Sequence, residues 1–290
     1  MAYWNSSSLT WFITGASSGF GLALTRIALS EGHKVIATSR NPSRNPDLVA
    51  EVESQGGRWL PLDVDDANCG ATIEKLETEE GTGIDILVNN AGWSLHGPAE
   101  CITEEEARRQ METMYFGPYR LLRAAVPHMR ARRRGLILNI GSGAGVNGRD
   151  SMGAYAASKA AMDGLLRVMT RELAPFNIRT LNVHLGAFDT NFTTGLAITK
   201  TPFPDDYRGS ITEKVVSSLA VDFNPDGDHR KAIRVVYEIA IGKGQGEGKE
   251  KETVVILGRD MWRSMQDIFD KTKHMMDISE DMCNNVYLGK

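Results

Sequence analysis

Short apolar runs alternate with longer amphipathic stretches along most of this chain. Trp11-Phe12-Ile13 is compact enough to fill a buried strand, and it passes directly into Thr14-Gly15-Ala16-Ser17-Ser18-Gly19-Phe20-Gly21. Leu22 to Leu29 then carries helical periodicity that stops at Gly32. Lys34 to Arg40, Arg58 to Val64 and Ile84 to Val88 read as the second, third and fourth strands, the last running into Asn89-Asn90-Ala91-Gly92. Thr103-Glu104-Glu105-Glu106 has the spacing of a capping box and opens a long helix toward Met129, which Pro118 and Pro127 are expected to bend or segment. Gly135 to Ile140 is a fifth strand, Tyr155 to Leu173 a helix that stops before Pro175, and Ile178 to His184 a sixth strand. Thr253 to Leu257 would be the seventh, with a terminal helix from Met261 to Asp277 over the substrate cleft. Phe192 to Leu219 shows no clean strand pattern, and Gly242 to Gly248 reads as a flexible, charged surface loop.

Composition narrows the class. The 290 residues suffice for one large α/β domain or two small ones, and no repeat or linker divides them. With 41% hydrophobic and 24% charged residues the chain is not of the disordered type. A formal charge of −4 gives no general attraction to nucleic acid or acidic membranes, so no nucleic-acid partner is expected. The basic run Arg130 to Arg134 reads as a solvated helix terminus. Cys69, Cys101 and Cys283 have no short paired spacing, and the histidines form no H-x-x-x-H pair, so neither a disulfide framework nor a metal site is expected. No apolar stretch has the length of a membrane span and the first ten residues do not read as a signal peptide, which together fit a cytoplasmic location.

Two features suggest chemistry. A strand, a glycine-rich turn and a helix in that order aim backbone N–H groups and the positive end of a helix dipole at an anion, a phosphate cradle unless it is a plain turn. The second strand ends in Ser39-Arg40 with no carboxylate, and an arginine there can pair with a 2′-phosphate, favouring NADP(H) over NAD(H) unless it is a solvated loop residue. In the helix beginning near Met152, Tyr155 and Lys159 are four apart and share a face. A nearby ammonium favours phenolate, so the pair can tune a tyrosine toward proton transfer near neutral pH.

Thr14 to Gly21, Asp63-Val64, Asn89 to Gly92, and Tyr155 with Lys159 together resemble the short-chain dehydrogenase/reductase family, over roughly the first two-thirds of the chain. The resemblance implies a single Rossmann-like domain: a doubly wound parallel sheet of about seven strands with helices on both faces. It would carry a substrate lid at about 188–220 and a C-terminal extension at about 221–290. The cofactor would lie against Gly15, Ser17, Ser18, Gly19, Phe20 and Gly21, with Arg40 at the 2′-phosphate. Asp63 and Val64 would hold adenine, and Asn90, Ala91 and Gly92 would line the riboses. Phe188 and Thr190 would sit near the nicotinamide, beside Tyr155 and Lys159. Ser142, thirteen residues before Tyr155, matches the serine that orients the substrate carbonyl.

The family's helix normally supplies an asparagine where this chain has Met114, which puts the proton relay to bulk water in doubt; Leu185-Gly186 replaces its usual Pro-Gly. Phe192, Leu196, Phe203 and Tyr207 could close over a hydrophobic substrate, with Trp93, His96 and Met152 on the opposite wall. The expected activity is NADP(H)-dependent reduction of a lipid-like or specialised-metabolite ketone, or the reverse, by a homodimer or homotetramer. A cofactor-retaining isomerase or cyclase, and a non-catalytic NADP(H) sensor, are the alternatives.

Overall fold

The computed structural model describes Trp4 and residues 8–190, 196–221 and 225–288, without the side chains of 219–221. Its strands are β1 (Thr10–Ile13), β2 (Lys34–Ser39), β3 (Arg58–Pro61), β4 (Ile86–Asn89), β5 (Ser94–His96), β6 (Gly135–Ser142), β7 (Ile178–Leu185), β8 (Leu196–Ile198) and β9 (Val254–Leu257). Its helices are α1 (Gly19–Ser30), α2 (Pro46–Ser54), α3 (Ala71–Thr78), α4 (Glu104–Met111), α5 (Gly117–Arg132), α6 (Ala144–Asn147), α7 (Gly153–Leu173), α8 (Ile211–Val221), α9 (His229–Ile241) and α10 (Arg259–Asn284).

Seven strands form one parallel sheet in the order β3-β2-β1-β4-β6-β7-β9. The order reverses direction at β1, so a crevice opens beyond the carboxyl ends of β1 and β4. Side chains alternate between the sheet faces, and both faces are apolar. Trp11, Ile13, Val35, Val88 and Leu138 pack with α1, α2 and α9. Phe12, Ile36, Leu87 and Ile137 face the other way, onto α3, α5 and α7. Fully burying each such side chain is worth roughly 1.5–3 kcal/mol, so strands this short are held by their two covered faces.

The helix expected from Thr103 to Met129 is divided just before Pro118 and not at Pro127. Its capping box forms, with Thr103 and Glu106 bonding reciprocally. A π-helical turn over Glu112–Phe116 then separates α4 from α5, and the Gly117 N–H bonds the Glu112 carbonyl five residues back. Pro118, lacking an N–H, follows immediately, while Pro127 stays inside α5.

Four other expectations are corrected. The stretch read as strandless contains β8, which pairs in parallel with β5. The Gly242–Gly248 loop includes a short helical turn whose Gly246 is buried against the Glu238 carbonyl. The basic run is not merely solvated: Arg132 pairs with Glu77 and Arg134 with Asp85, each at 2.6 Å, and Arg133 donates to the Pro175 carbonyl. The terminal helix is longer than expected, yet Met261 is its one fully buried residue.

Candidate active site

The two turns at the crevice are braced against each other. The Thr14 hydroxyl donates to the Val88 carbonyl at 3.0 Å and accepts from the N–H groups of Asn90 and Ala91. The Asn90 amide returns the contact, donating to the carbonyls of Thr14 at 2.8 Å and Gly15 at 3.0 Å. The cross-brace leaves no room for side chains. Gly15 has φ +65°, and a Cβ there would lie 2.7 Å from the Ala91 Cα. At Gly21 a Cβ would stand 2.4 Å from the Gly15 carbonyl oxygen. Ser18 caps α1 by position, but its side chain makes no capping bond, so the helix's first N–H groups remain available to an anion.

The turns also gather distant residues. Phe20 meets Phe188 edge-on at 5.9 Å, and Thr190 lies over Gly19. Ser17 and Gly19 are half-buried beside them, and Ser18 is exposed. Arg40 is exposed at the end of β2, whose Ser39 hydroxyl accepts from the Trp59 indole. Asp63 accepts the Asp65 N–H, and the buried Val64 packs against Gly117. Asp65 has a buried oxygen, Oδ1, with no partner among the described residues. A glycine cradle, open helix amides and an exposed cation fit a dinucleotide.

Beside this cradle β6 ends in Ser142, and α7 carries Tyr155 and Lys159. Ser142 hydrogen-bonds the phenol and also accepts the Ala144 N–H at 3.2 Å. The Lys159 ammonium lies 5.7 Å from the Tyr155 ring centre and donates to the Ile140 carbonyl at 2.6 Å. Burial outweighs the expected acidification. It pushes the phenol up to about 12, against the lowering effects of Ser142 and Arg149. It pulls the ammonium down to about 8, against the raising effect of Asp163. The phenol is therefore held in its proton-donating form at neutral pH.

A family model described as short chain dehydrogenase matches residues 10–200 of this chain. The chain belongs to the short-chain dehydrogenase family. It is 45% identical to Oxidoreductase claN of Passalora fulva over 64% of this chain and 84% of that protein. It is 40% identical to a 3-ketodihydrosphingosine reductase of Bacteroides thetaiotaomicron, over 68% and 71% respectively. A solved short-chain dehydrogenase from Streptomyces avermitilis superposes with a TM-score of 0.84 at 30% identity, covering 98% of this chain and 100% of its own.

Within this short-chain dehydrogenase, Met114 lies in the π-helical turn, buried against Gly92 and clustered with Tyr155, Ala144 and the half-buried Met152. Its thioether puts an apolar surface where the family has an amide. Trp93 and His96, expected on the substrate wall, both have protein partners. Trp93 turns its indole N–H to the Thr113 hydroxyl at 2.9 Å, with Arg109 over its ring at 5.3 Å. His96 is buried, and its ring nitrogens meet Ser94 at 2.9 Å and Ser151 at 3.3 Å. Phe192 lies outside the described residues. Leu196 is half-buried in β8, Phe203 approaches Gly97, and the Tyr207 hydroxyl donates to Glu100.

The sequence reading missed two supports. Glu106 of the capping box also accepts the Lys200 N–H, anchoring the segment after β8. The root of α10 braces the turn after β6: Met261 packs against Gly143, and Asp260 accepts the Ala187 N–H and pairs with Arg149. A cleft of about 570 Å³ lies next to this root, lined by Ala187, Phe188, Lys231 and Arg263. No helix among the described residues is long and apolar enough to cross a membrane, and they contain no cluster of metal-ligating side chains.

Burial pushes the His96 imidazole from 6.5 down to about 4. The unfolded chain therefore binds a proton that the fold excludes, and stability is lost as pH falls from 6.5 toward about 4. His96→Gln, which cannot titrate, should show a shallower fall in Tm over that window, a difference of up to about 3 kcal/mol. Parallel curves for the two proteins would acquit His96.

Proposed function

We propose that this chain reduces a ketone on a hydrophobic, lipid-like or specialised-metabolite substrate to a secondary alcohol with NADPH, or catalyses the reverse. The observation carrying this reading is the convergence of Ser142, Tyr155 and Lys159 beside the glycine cradle. The 40% identity to a 3-ketodihydrosphingosine reductase supports a ketone on a lipid-like chain.

The dinucleotide would rest on Gly15, Gly19 and Gly21, with Asn90 beside its riboses and Arg40 at a 2′-phosphate; when bound, its nicotinamide supplies the hydride. Ser142 would hold the carbonyl oxygen by hydrogen bond, favouring the charge that develops on it. Tyr155, kept protonated by burial, would deliver its proton to that oxygen. Lys159 would stabilise the phenolate left behind. The apolar contact of Met114 with Met152 and Ala144 keeps water from the phenol on that side. A small-molecule partner, a cytoplasmic setting and a homodimer or homotetramer belong to the same reading.

A ketone panel with NADPH, followed by the loss of its near-ultraviolet absorbance, tests the proposal. Turnover of lipophilic ketones is expected, and no NADPH consumption with any ketone would overturn it. The buried Met114 favours one second reading, a cofactor-retaining isomerase or cyclase, which would form product without net NADPH loss.

Arg40 decides the cofactor. Arg40→Ala should raise the Kd for NADPH about tenfold and that for NADH less than about twofold, because a charge-assisted pair with the 2′-phosphate exists only in the former. Equal losses for the two nucleotides would refute the NADP(H) assignment.

A further inference from the structure

Tyr155, Lys159 and Asp163 descend one face of α7, each a helical turn below the last, and all three are buried. The first two belong to the chemistry proposed above; the third has no part in it. A lone buried carboxylate is costly, so its surroundings must account for it.

The Asp163 Oδ1 accepts from the Asn182 amide at 2.6 Å, and its Oδ2 lies 3.4 Å from the Nε2 of His184. Asn182 is fixed in turn, its oxygen accepting from the Asn139 amide at 2.8 Å on the neighbouring strand. The same Asn182 amide lies 2.9 Å from the His184 Nε2, so one hydrogen can go to the carboxylate and the other to the imidazole. In that arrangement His184 accepts at Nε2 as a neutral ring. Burial, its largest influence, favours that form, although Asp163 opposes it.

We propose that Asp163 is the buried counter-ion of Lys159, a positioning residue that keeps the ammonium charged at working pH, and that Asn182, itself fixed by Asn139 and His184, holds its carboxylate in place. This rests on the reading of Tyr155 and Lys159 as the proton-transfer pair.

The groups facing this column from each packed element are few. On α7 they are Tyr155, Lys159 and Arg167, and on β7 His184; β6 offers the uncharged Ile140 carbonyl and Asn139, and Arg149 acts on the phenol from before α7. Asp163 is the acidic member. Burial draws the ammonium toward its neutral form, and Asp163 is the group opposing this. The Ile140 carbonyl orients the ammonium but carries no full charge to retain its proton.

The test is the titration of Lys159 in the cofactor-free protein, read by NMR from a 13C label on its ε-carbon and assigned by loss of the signal in Lys159→Met. Asp163→Asn should lower the midpoint by about one pH unit or more. The alkaline limb of kcat/KM, for whichever ketone of the panel is turned over, should move down by the same amount, while Asp163→Glu restores most of both. A merely structural Asp163 would lower activity at every pH without moving either midpoint, and that outcome overturns the proposal. Should Asp163→Asn fail to fold, Asn182→Ser, which keeps the carboxylate but loosens it, is expected to lower the midpoint by a smaller measurable shift. No shift in a folded Asn182→Ser would equally overturn it. The NMR titration does not depend on turnover, so it separates this inference from the catalytic reading, which fails instead if Tyr155→Phe retains activity.

Discussion

Tyr155→Phe is expected to lower kcat by about a thousandfold while leaving the Kd for NADPH within about twofold. Positioned proton transfer contributes roughly 10²–10⁴ in rate, and a thousandfold loss corresponds to about 4 kcal/mol of barrier. The substitution removes one oxygen from a buried ring that packs against Met114 and Ala144. The apolar contacts survive, so the fold should tolerate it. Ser142 loses the phenol as a partner but still accepts the Ala144 N–H. The effect should therefore fall on kcat and spare Tm. Steady-state kinetics beside a fluorescence titration of NADPH would check both halves. Turnover near the parent value would take the tyrosine out of the chemistry.

The second large effect is expected at Gly21. A methyl group there would stand 2.4 Å from the Gly15 carbonyl oxygen and 2.5 Å from the Asn90 amide nitrogen. Neither neighbour can yield cheaply, since the Asn90 amide is engaged with two carbonyls and the Gly15 oxygen is backbone. Overpacking of this kind costs about 1–3 kcal/mol. Gly21→Ala should lower Tm by several degrees and, by splaying the two turns, weaken NADPH binding by more than tenfold. Calorimetry and a binding titration give the two readings. Unchanged affinity in the variant would show that the close approach of the turns is not what the nucleotide needs. By contrast Gly32, where no atom lies within 4 Å of a built Cβ, belongs to an open turn.

How much of this was legible depended on whether the controlling interaction was local. β1, β4 and β6 could be read because each is a run of largely buried apolar residues, and the capping box of Thr103 and Glu106 because its bonds span three residues. The glycine turn and the spacing of Tyr155 and Lys159 were legible for the same reason. By contrast, β8 has three residues and depends on a register with β5 a hundred positions earlier. α9 escaped notice although Asp228 caps it and Ala232, Ile233, Val236, Tyr237 and Ala240 form its buried face. Its pattern lay in the part of the chain treated as an extension. Sequence could place His96 near the Asn89–Gly92 turn but could not give the partners of its ring. One of them is Ser151, 55 residues on. The acidity of Tyr155 was misjudged because spacing reveals the neighbouring charge and conceals the desolvation that opposes it.

The brace between Thr14 and Asn90 joins residues 76 positions apart. An amino-terminal fragment ending before Val88 contains every glycine of the first turn yet lacks all three partners of the Thr14 side chain, Val88, Asn90 and Ala91. During synthesis the proposed nucleotide site therefore cannot assemble as the glycines leave the ribosome. It must wait for the fourth strand to dock, so any capture of a coenzyme follows the pairing of β1 with β4 and not the glycine turn alone.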